Sequence, residues 1–202
     1  MSHNIEHIFY INLDRRTDRL AQIEAELDKF ELPCELFHGI AKDMGILGCG
    51  LSHLAIYKLA KKRGYKNVLI CEDDLYFLVD KQTLEEELTK FFDSNIYYNV
   101  LMLAYNVNES EEVPKIPFIR RLLDSQSAAC YIVNENYYDK LIELYEHTMP
   151  LLEQTGQHWL YANDQCWKAL QPNDKWYYFV TRIGRQRDGF SDNAGQYMEY
   201  NC

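Results

Sequence analysis

Short apolar runs alternate with amphipathic stretches along the whole chain. The runs at 8–11, 67–71 and 128–133 have the length of buried strands, whereas apolar residues in 17–30 and 84–92 recur at helical spacing. Strands that alternate with helices are typical of a layered fold in which helices cover a largely parallel sheet. The pattern therefore predicts an α/β fold.

Two segments depart from this alternation. Residues 45–50 contain three glycines and are predicted to form a loop, followed by a helix that begins at about Leu51. Residues 106–124 are polar, with two prolines and the basic pair Arg120-Arg121, and are predicted to form a long irregular excursion. Loops of this kind are often functional, so both segments are candidates for lining a site.

Length and charge narrow the possibilities. A chain of 202 residues suits a single domain, 1–202, and a net charge of -10 disfavours binding to nucleic acid. No run of 18 or more apolar residues is present, which predicts no membrane span. The first residues show no secretory signal and the six cysteines have no CxxC spacing. We therefore expect a cytoplasmic protein with reduced thiols.

The sharpest chemical feature is the acidic cluster Glu72-Asp73-Asp74, which follows the apolar run 68–71. Buried unpaired carboxylates are costly, so these acids are expected at the carboxyl end of the strand, the edge where open α/β sheets bind ligands. Side-chain alternation places Glu72 and Asp74 on one side and Asp73 on the other. The cluster predicts a site for a hard divalent cation, with a simple helix-start cap as the alternative.

Three more polar segments are candidates for the same site. The stretch Asn12-Leu13-Asp14-Arg15-Arg16, with Arg19 nearby, follows the first strand and is a candidate for binding a nucleotide diphosphate at a helix start, with a solvated basic turn as the alternative. The glycine-rich segment contains Gly48 and is followed by Ser52 and His53. Backbone can approach a ligand closely at such a segment. A polar cluster from Gln186 to Asp192 follows the last strand.

The order of FYINLDRRTDR, GCGLSH, VLICEDDLYF, SAACYIV and FSD resembles glycosyltransferase family 25, over roughly residues 7–192. That family includes bacterial lipooligosaccharide galactosyltransferases and collagen hydroxylysine galactosyltransferases. The resemblance implies a Rossmann-like domain of the GT-A type, with a mostly parallel sheet. It also implies a UDP-sugar donor, a glycan or protein hydroxyl acceptor, and a divalent cation, usually Mn²⁺, with Mg²⁺ the alternative.

The resemblance also implies roles for individual residues. It makes Glu72 and Asp74 metal ligands, Asp73 part of the same motif, Asn12 to Arg15 the start of the nucleotide site, and Ser52-His53 part of the donor pocket. Collagen-type members tend to carry a C-terminal histidine that could complete the metal shell. Here no histidine follows His158, so Gln186 and Asp192 are the nearest candidates.

An inverting transfer, the outcome that the resemblance implies, needs a general base for the acceptor hydroxyl. Asp164 is the candidate and Asp188 the second choice, with an ordinary helix-start aspartate as the alternative for Asp164. Two rival functions remain open. One is a degenerate fold that only binds a nucleotide-sugar or a partner. The other is Mg²⁺-dependent phosphoryl chemistry, which requires a lysine and a hydroxyl at later strand ends.

Overall fold

A computed structural model describes residues 4–31, 33–191 and 196–200. The longer strands are β1 (His7–Asn12), β2 (Glu35–His38), β3 (Asn67–Glu72), β5 (Val100–Glu112), β6 (Ile119–Asn134) and β7 (Trp176–Phe179). The shorter ones are β4 (Leu75–Phe77), β8 (Gly184–Gln186), β9 (Gly189–Ser191) and β10 (Gln196–Met198). The helices are α1 (Thr17–Asp28), α2 (Gly45–Arg63), α3 (Lys81–Asp93), α4 (Tyr138–Thr155), α5 (His158–Tyr161) and α6 (Asn163–Cys166). Short 3-10 turns cover Glu135–Tyr137 and Trp167–Ala169.

The longer strands form one sheet in the order β2-β1-β3-β6-β5-β7. Pairings between β1 and β2, β1 and β3, and β5 and β7 are parallel, whereas β6 is antiparallel to β3 and β5. All strands of this sheet except β6 therefore run in the same direction. The predicted α/β fold with a mostly parallel central sheet is confirmed.

Each face of the sheet carries its own hydrophobic core. Helices α2 and α4 cover one face, where Val68 and Ile70 point, and α1 and α3 cover the other, where Leu69 and Cys71 point. Because β3 is buried on both faces, its apolar run is continuous rather than alternating. In the part of the chain that the structure describes, no helix has the length and apolarity needed to cross a membrane.

The glycine-rich segment is helical, so the predicted loop at 45–50 is wrong. Helix α2 begins at Gly45, and its glycines serve close packing. A Cβ atom at Gly48 would collide with the backbone carbonyl of Ile40, and one at Gly50 would collide with Met149 of α4. The glycines therefore bring the start of α2 against the 39–42 loop and against α4.

The predicted irregular excursion at 106–124 is also wrong. Strands β5 and β6 continue past the core as a long antiparallel hairpin, with register shifts between Met102 and Ser110. Its outer part is polar and partly exposed, which explains why no buried-strand pattern appears in the sequence. Backbone pairing with β7 at Ile119–Arg121 ties it to the sheet.

The segment after β7 folds back onto the carboxyl edge of the sheet. Strand β8 pairs antiparallel with β4, which puts Gln186 beside Leu75, directly after the acidic cluster. Strands β9 and β10 then form a second small antiparallel pair. The polar C-terminal segment thus reaches the strand end that carries Glu72.

Candidate functional site

The acidic cluster lies at the carboxyl end of β3. The strand is buried from Asn67 to Cys71 and ends at Glu72, and Asp73 and Asp74 form the tight turn that leads into β4. The four apolar residues before Glu72 fix this position, because they fill the two cores and leave the acids at the edge. The position that the sequence predicts for the acids is the one observed.

Asp73 and Asp74 both turn toward α1. Arg19 Nη1 donates to Asp73 Oδ1 at 2.8 Å and to Asp74 Oδ2 at 3.1 Å, and all three side chains are nearly buried. Burial alone would lower the pKa of the Arg19 guanidinium, but Asp74 and Asp73 raise it above its usual value. Arg19 is therefore a permanent cation that partly neutralises two neighbouring carboxylates.

Glu72 points the other way, toward α2. Its Oε1 atom lies 3.0 Å from His53 Nε2 and accepts a hydrogen bond from Cys49 Sγ at 3.2 Å. Burial alone would raise the pKa of Glu72, but the contacts with His53 and Cys49 lower it below its usual value. The ligand atoms of Cys49, His53 and Glu72 all lie within 4.8 Å of one another, an arrangement capable of holding a metal ion.

The three acids do not point to the sides that side-chain alternation along a strand predicts. Glu72 and Asp74 were expected on one side of the strand and Asp73 on the other, but Asp73 and Asp74 share Arg19 while Glu72 faces α2. Alternation holds only while the chain is extended, and β3 ends at Glu72. The turn redirects the side chain of Asp74, but Asp74 stays close enough to Glu72 for the charge of Glu72 to raise its pKa.

Asp74 carries the strongest electrostatic strain of the cluster. Burial, together with the nearby charge of Glu72, raises the pKa of Asp74 to about 7. Its Oδ2 atom accepts from Arg19 and from Gln186 Nε2 at 3.0 Å, whereas Oδ1 is buried without a hydrogen-bond partner among the described residues. A buried, unpaired carboxylate oxygen beside a second acid fits a divalent cation such as Mn²⁺ or Mg²⁺.

A cleft of about 790 Å³, counting its solvent-open mouth, lies over these acids. Its wall is built by β1 and the turn after it, the 39–42 loop, the start of α2, the acidic cluster and the C-terminal segment. The lining residues are Ile11, Leu13, Arg15, Arg16, Arg19, Gly39, Ile40, Ala41, Lys42, Gly45, Gly48, Cys49, Ser52, Glu72, Asp73, Asp74, Gln186, Ser191 and Tyr200.

Most of the residues predicted for the site line this cleft, whereas Asn12, Asp14 and His53 do not. Asn12 is buried and donates from Nδ2 to the Leu13 carbonyl at 2.8 Å. Asp14 is largely exposed and lies 2.6 Å from His38 Nδ1. His53 is fully buried behind Glu72, which it contacts directly. Asn12 and His53 are thus buried next to lining residues, whereas Asp14 lies on the surface.

The sequence did not single out the 39–42 loop as part of the site. Ser52 Oγ accepts from Ile40 N and donates to the Gly48 carbonyl, each at 2.8 Å, so Ser52 fastens the loop to α2. Gly48 and Ser52 therefore shape the cleft wall. The loop brings Lys42 into the cleft, and no pattern in its sequence indicates that role.

The two predicted catalytic aspartates lie in different surroundings. Asp164 Oδ2 accepts from Ser127 N at 3.0 Å, and the carboxylate is near enough to Glu72 to be affected by its charge. Burial raises the pKa of Asp164 above its usual value. Asp188 instead accepts from Tyr200 N at 2.7 Å and pairs with Arg185. Neither aspartate belongs to the described residues that line the cleft.

The C-terminal segment is hydrogen-bonded to the acidic cluster. Gln186 donates to Asp74, Arg187 N donates to the Asp74 carbonyl at 2.6 Å, and Arg19 Nη2 donates to the Phe190 carbonyl at 3.0 Å. Gln186 therefore reaches the site, as a donor to Asp74. Asp192, the other predicted third ligand, lies outside the described residues.

Sequence comparison gives an independent result. The family profile "Glycosyltransferase family 25 (LPS biosynthesis protein)" matches residues 43–156, more than half of the chain. A glycosyltransferase 25 family member from Drosophila melanogaster is 29% identical, over 37% of this chain and 17% of that protein. Procollagen galactosyltransferase 1 from Danio rerio is 25% identical, over 59% of this chain and 25% of that protein. The chain thus matches a quarter or less of the length of these relatives.

Solved structures resemble the fold at low sequence identity. The match with A197 from STIV covers 97% of this chain and 94% of that chain, with a TM-score of 0.51 and 12% sequence identity. A glycosyltransferase involved in the glycosylation of the major capsid of PBCV-1 gives a TM-score of 0.46 at 8% identity, over 87% of this chain and 92% of its own. The likeness to A197 extends over nearly the whole of both chains and agrees with the predicted α/β fold with a mostly parallel central sheet. By its profile match over residues 43–156, the chain belongs to glycosyltransferase family 25.

Proposed function

We propose that this chain is a metal-dependent hexosyltransferase that moves galactose or glucose from a UDP-sugar to a hydroxyl of a glycan or protein acceptor. The observation that carries the proposal is the joint presence, in one cleft, of the acids Glu72, Asp73 and Asp74 and of several cationic side chains. A UDP-sugar needs both, because its diphosphate is anionic and its leaving group gains charge during transfer.

The donor diphosphate is proposed to bind between the turn after β1 and the start of α2. Arg15, Arg16 and Lys42 bring cations to this cleft, in a chain whose net charge is -10. The first turn of α2 contains no acidic residue, and Gly45 and Gly48 of that helix line the cleft. The positive end of a long helix adds to the attraction for phosphate.

Asp74 and Glu72 are proposed to hold the cation, with Mn²⁺ as first choice and Mg²⁺ as second. When bound, such an ion stabilises as a Lewis acid the charge that develops on the departing UDP. The buried Oδ1 atom of Asp74 supports this role, since it has no hydrogen-bond partner among the described residues. Arg19 keeps Asp73 and Asp74 oriented, and Gln186 adds a further hydrogen bond to Asp74.

Asp164 is proposed as the general base. The oxygen of the acceptor hydroxyl bonds to the anomeric carbon, and the hydroxyl proton passes to the Asp164 carboxylate. At the same time the bond between the anomeric carbon and the phosphate oxygen breaks. Burial raises the pKa of Asp164, which makes it a better proton acceptor than an exposed aspartate. Trp159, 61% exposed and one short helix away, offers a flat apolar face for a sugar ring. Attack from the face opposite UDP inverts the anomeric centre.

Titration calorimetry tests the donor site. UDP, UDP-galactose and UDP-glucose are titrated into the protein with Mn²⁺, with Mg²⁺ and with excess chelator. Tight binding is expected only with metal, and Asp74→Asn is expected to lower affinity at least about 100-fold, since even outer-shell changes at metal sites cost about 10–100-fold. Asp80→Asn, which preserves an N-cap away from the cleft, is the matched control. Equal UDP affinity in Asp74→Asn and wild type would refute the metal assignment.

Steady-state kinetics test the base. Asp164→Asn is expected to lower kcat by about 10²–10⁴-fold while UDP affinity stays unchanged, because general-base catalysis contributes about that factor. Asp188→Asn is the control, and a larger loss there would transfer the role to Asp188. The anomeric configuration of the product, read by NMR, is expected to be inverted. UDP-sugar binding without transfer to any hydroxyl acceptor would favour the non-catalytic binding module instead.

A further inference from the structure

Three potential metal ligands of different chemistry meet on the α2 side of Glu72. Cys49 and His53 lie four residues apart on α2, so their side chains share one face of the helix. Cys49 Sγ is 3.2 Å and His53 Nε2 is 3.0 Å from the same oxygen of Glu72. All three ligand atoms lie within 4.8 Å of one another, which leaves room for an ion among them after small side-chain shifts.

The imidazole of His53 is already oriented. Its Nδ1 atom lies 2.6 Å from Tyr131 Oη, which in turn lies 2.6 Å from Tyr57 Oη, and all three side chains are fully buried. Metal-bound histidines commonly use their second ring nitrogen for such an outer hydrogen bond, which fixes the ring and its tautomer. This arrangement aims Nε2 at Glu72 and Cys49.

The cluster is also open to ligands from one side. Cys49 and Glu72 line the cleft, whereas His53 lies behind them. A cation at this position would have a thiolate, an imidazole and a carboxylate as protein ligands and a fourth position open to water. Such a set of sulfur, nitrogen and oxygen ligands is typical of zinc, whereas Mn²⁺ and Mg²⁺ prefer oxygen ligands.

We propose that Cys49, His53 and Glu72 form a binding site for a thiophilic divalent cation of the Zn²⁺ class, next to the hard-cation site and sharing Glu72 with it. On binding, the Cys49 thiol releases its proton to solvent and a sulfur–metal bond forms. The imidazole binds as the neutral ring through Nε2, and its remaining proton on Nδ1 faces Tyr131 Oη. The phenol groups of Tyr131 and Tyr57 accept or donate, so they satisfy either direction of this hydrogen bond.

Sharing of Glu72 gives the site a consequence for the donor cleft. An ion held by Cys49 and His53 withdraws Glu72 from the hard-cation position and places positive charge beside Asp74. Zn²⁺ is therefore expected to antagonise Mn²⁺-dependent UDP binding. This consequence rests on the proposed function, whereas the binding of Zn²⁺ itself does not.

Cobalt spectroscopy tests the site directly. Co²⁺ is titrated into the wild type, Cys49→Ser, Cys34→Ser and Asp74→Asn, and the thiolate-to-cobalt charge-transfer absorption is recorded. The band is expected in wild type, Cys34→Ser and Asp74→Asn, to be absent in Cys49→Ser, and to be displaced by one equivalent of Zn²⁺. No band in the wild type, a band retained in Cys49→Ser, or a band lost in Cys34→Ser or Asp74→Asn would overturn the proposal.

Calorimetry separates this site from the donor site. With Mn²⁺ present, one equivalent of Zn²⁺ is expected to weaken UDP binding at least tenfold in wild type and Cys34→Ser. In Cys49→Ser the ratio of affinities with and without Zn²⁺ is expected to approach one. A cobalt band without any UDP binding would keep the metal site and refute the proposed donor site. Zn²⁺ antagonism that persists in Cys49→Ser would refute the site proposed here.

Discussion

The three consecutive acids at the end of β3 lie in two different environments. On the α1 side, Asp73 and Asp74 share the guanidinium of Arg19, a group that stays charged at every pH relevant to the protein. On the α2 side, Glu72 contacts an imidazole and a thiol, both of which can also bind a metal ion. Neighbouring carboxylates in one motif therefore differ in what balances their charge.

This difference has a physical consequence. A buried acid beside a permanent cation is held in place by electrostatics, and loss of the cation leaves an uncompensated charge. A buried acid beside an imidazole and a thiol is held by hydrogen bonds, and it can exchange these partners for a metal ion. We therefore expect the α1 side to dominate stability and the α2 side to respond to ligands. Four substitutions test this contrast, from the largest expected effect to the smallest.

Arg19→Met removes the cation of the α1 side. Two nearly buried carboxylates would lose their counterion, so the free energy of unfolding is expected to fall by about 3–5 kcal/mol, measured by urea unfolding. Lys58→Met is the control, because Lys58 and Glu146 form a half-exposed pair worth about 0–1 kcal/mol. Similar losses in both variants would mean that the α1 side contributes no more to the free energy of unfolding than a surface ion pair does.

Asp74→Asn tests the charge strain on the same side through pH. The pKa of Asp74 is raised to about 7, so the folded state binds the proton more tightly than the unfolded one, and this stabilisation is lost as the pH rises through about 7. With chelator present, the wild type is expected to lose about 2–3 kcal/mol relative to Asp74→Asn between pH 5 and pH 8. Thermal melts at both pH values give the comparison, and parallel pH profiles would contradict the assignment.

Gly48→Ala disturbs the placement of the α2 side. Its added Cβ would meet the Ile40 carbonyl, so α2 or the 39–42 loop must shift, at a cost of about 1–3 kcal/mol. In Gly189→Ala, the control, the Cβ meets no other atom within 4 Å. Urea unfolding of the two variants measures the difference. A neutral Gly48→Ala would show that the loop is free to move away from the helix.

Tyr131→Phe removes one hydroxyl from the α2 side. His53 Nδ1 and Tyr57 Oη would lose a partner, for an expected cost of about 1 kcal/mol in urea unfolding. Tyr197→Phe, at an exposed position, is expected to change nothing measurable. A loss at Tyr131 as large as that of Arg19→Met would remove the contrast between the two sides.

Much of the fold could be predicted from the sequence because its central strands are apolar throughout. The run at 67–71 and the acids after it predict a buried strand with acids at its carboxyl end, and β3 has both features. The outer half of the β5–β6 hairpin could not be predicted, because its residues are polar and its regularity comes from pairing across the hairpin. Propensity does not report pairing between distant strands.

The site divides in the same way. The places of the acids and the arginines could be predicted, because the acids directly follow an apolar strand and the arginines lie at the start of an amphipathic helix. The start of α2 was misjudged because glycine is read as a loop former, whereas Gly48 and Gly50 serve contacts with Ile40 and Met149 that exist only in the folded chain. Cys49 was overlooked, although its four-residue spacing from His53 on one helix was a usable signal.

The hydrogen bond between Arg19 and the Phe190 carbonyl joins residues 171 positions apart. During synthesis, the ribosome must therefore add 171 residues after Arg19 before the Phe190 carbonyl exists. Until then, Asp74 lacks Gln186 and the acidic centre has only part of its hydrogen bonds. A growing chain would thus have all strands of its central sheet before it has the segment that closes the cleft, so any ligand binding there would follow formation of the sheet.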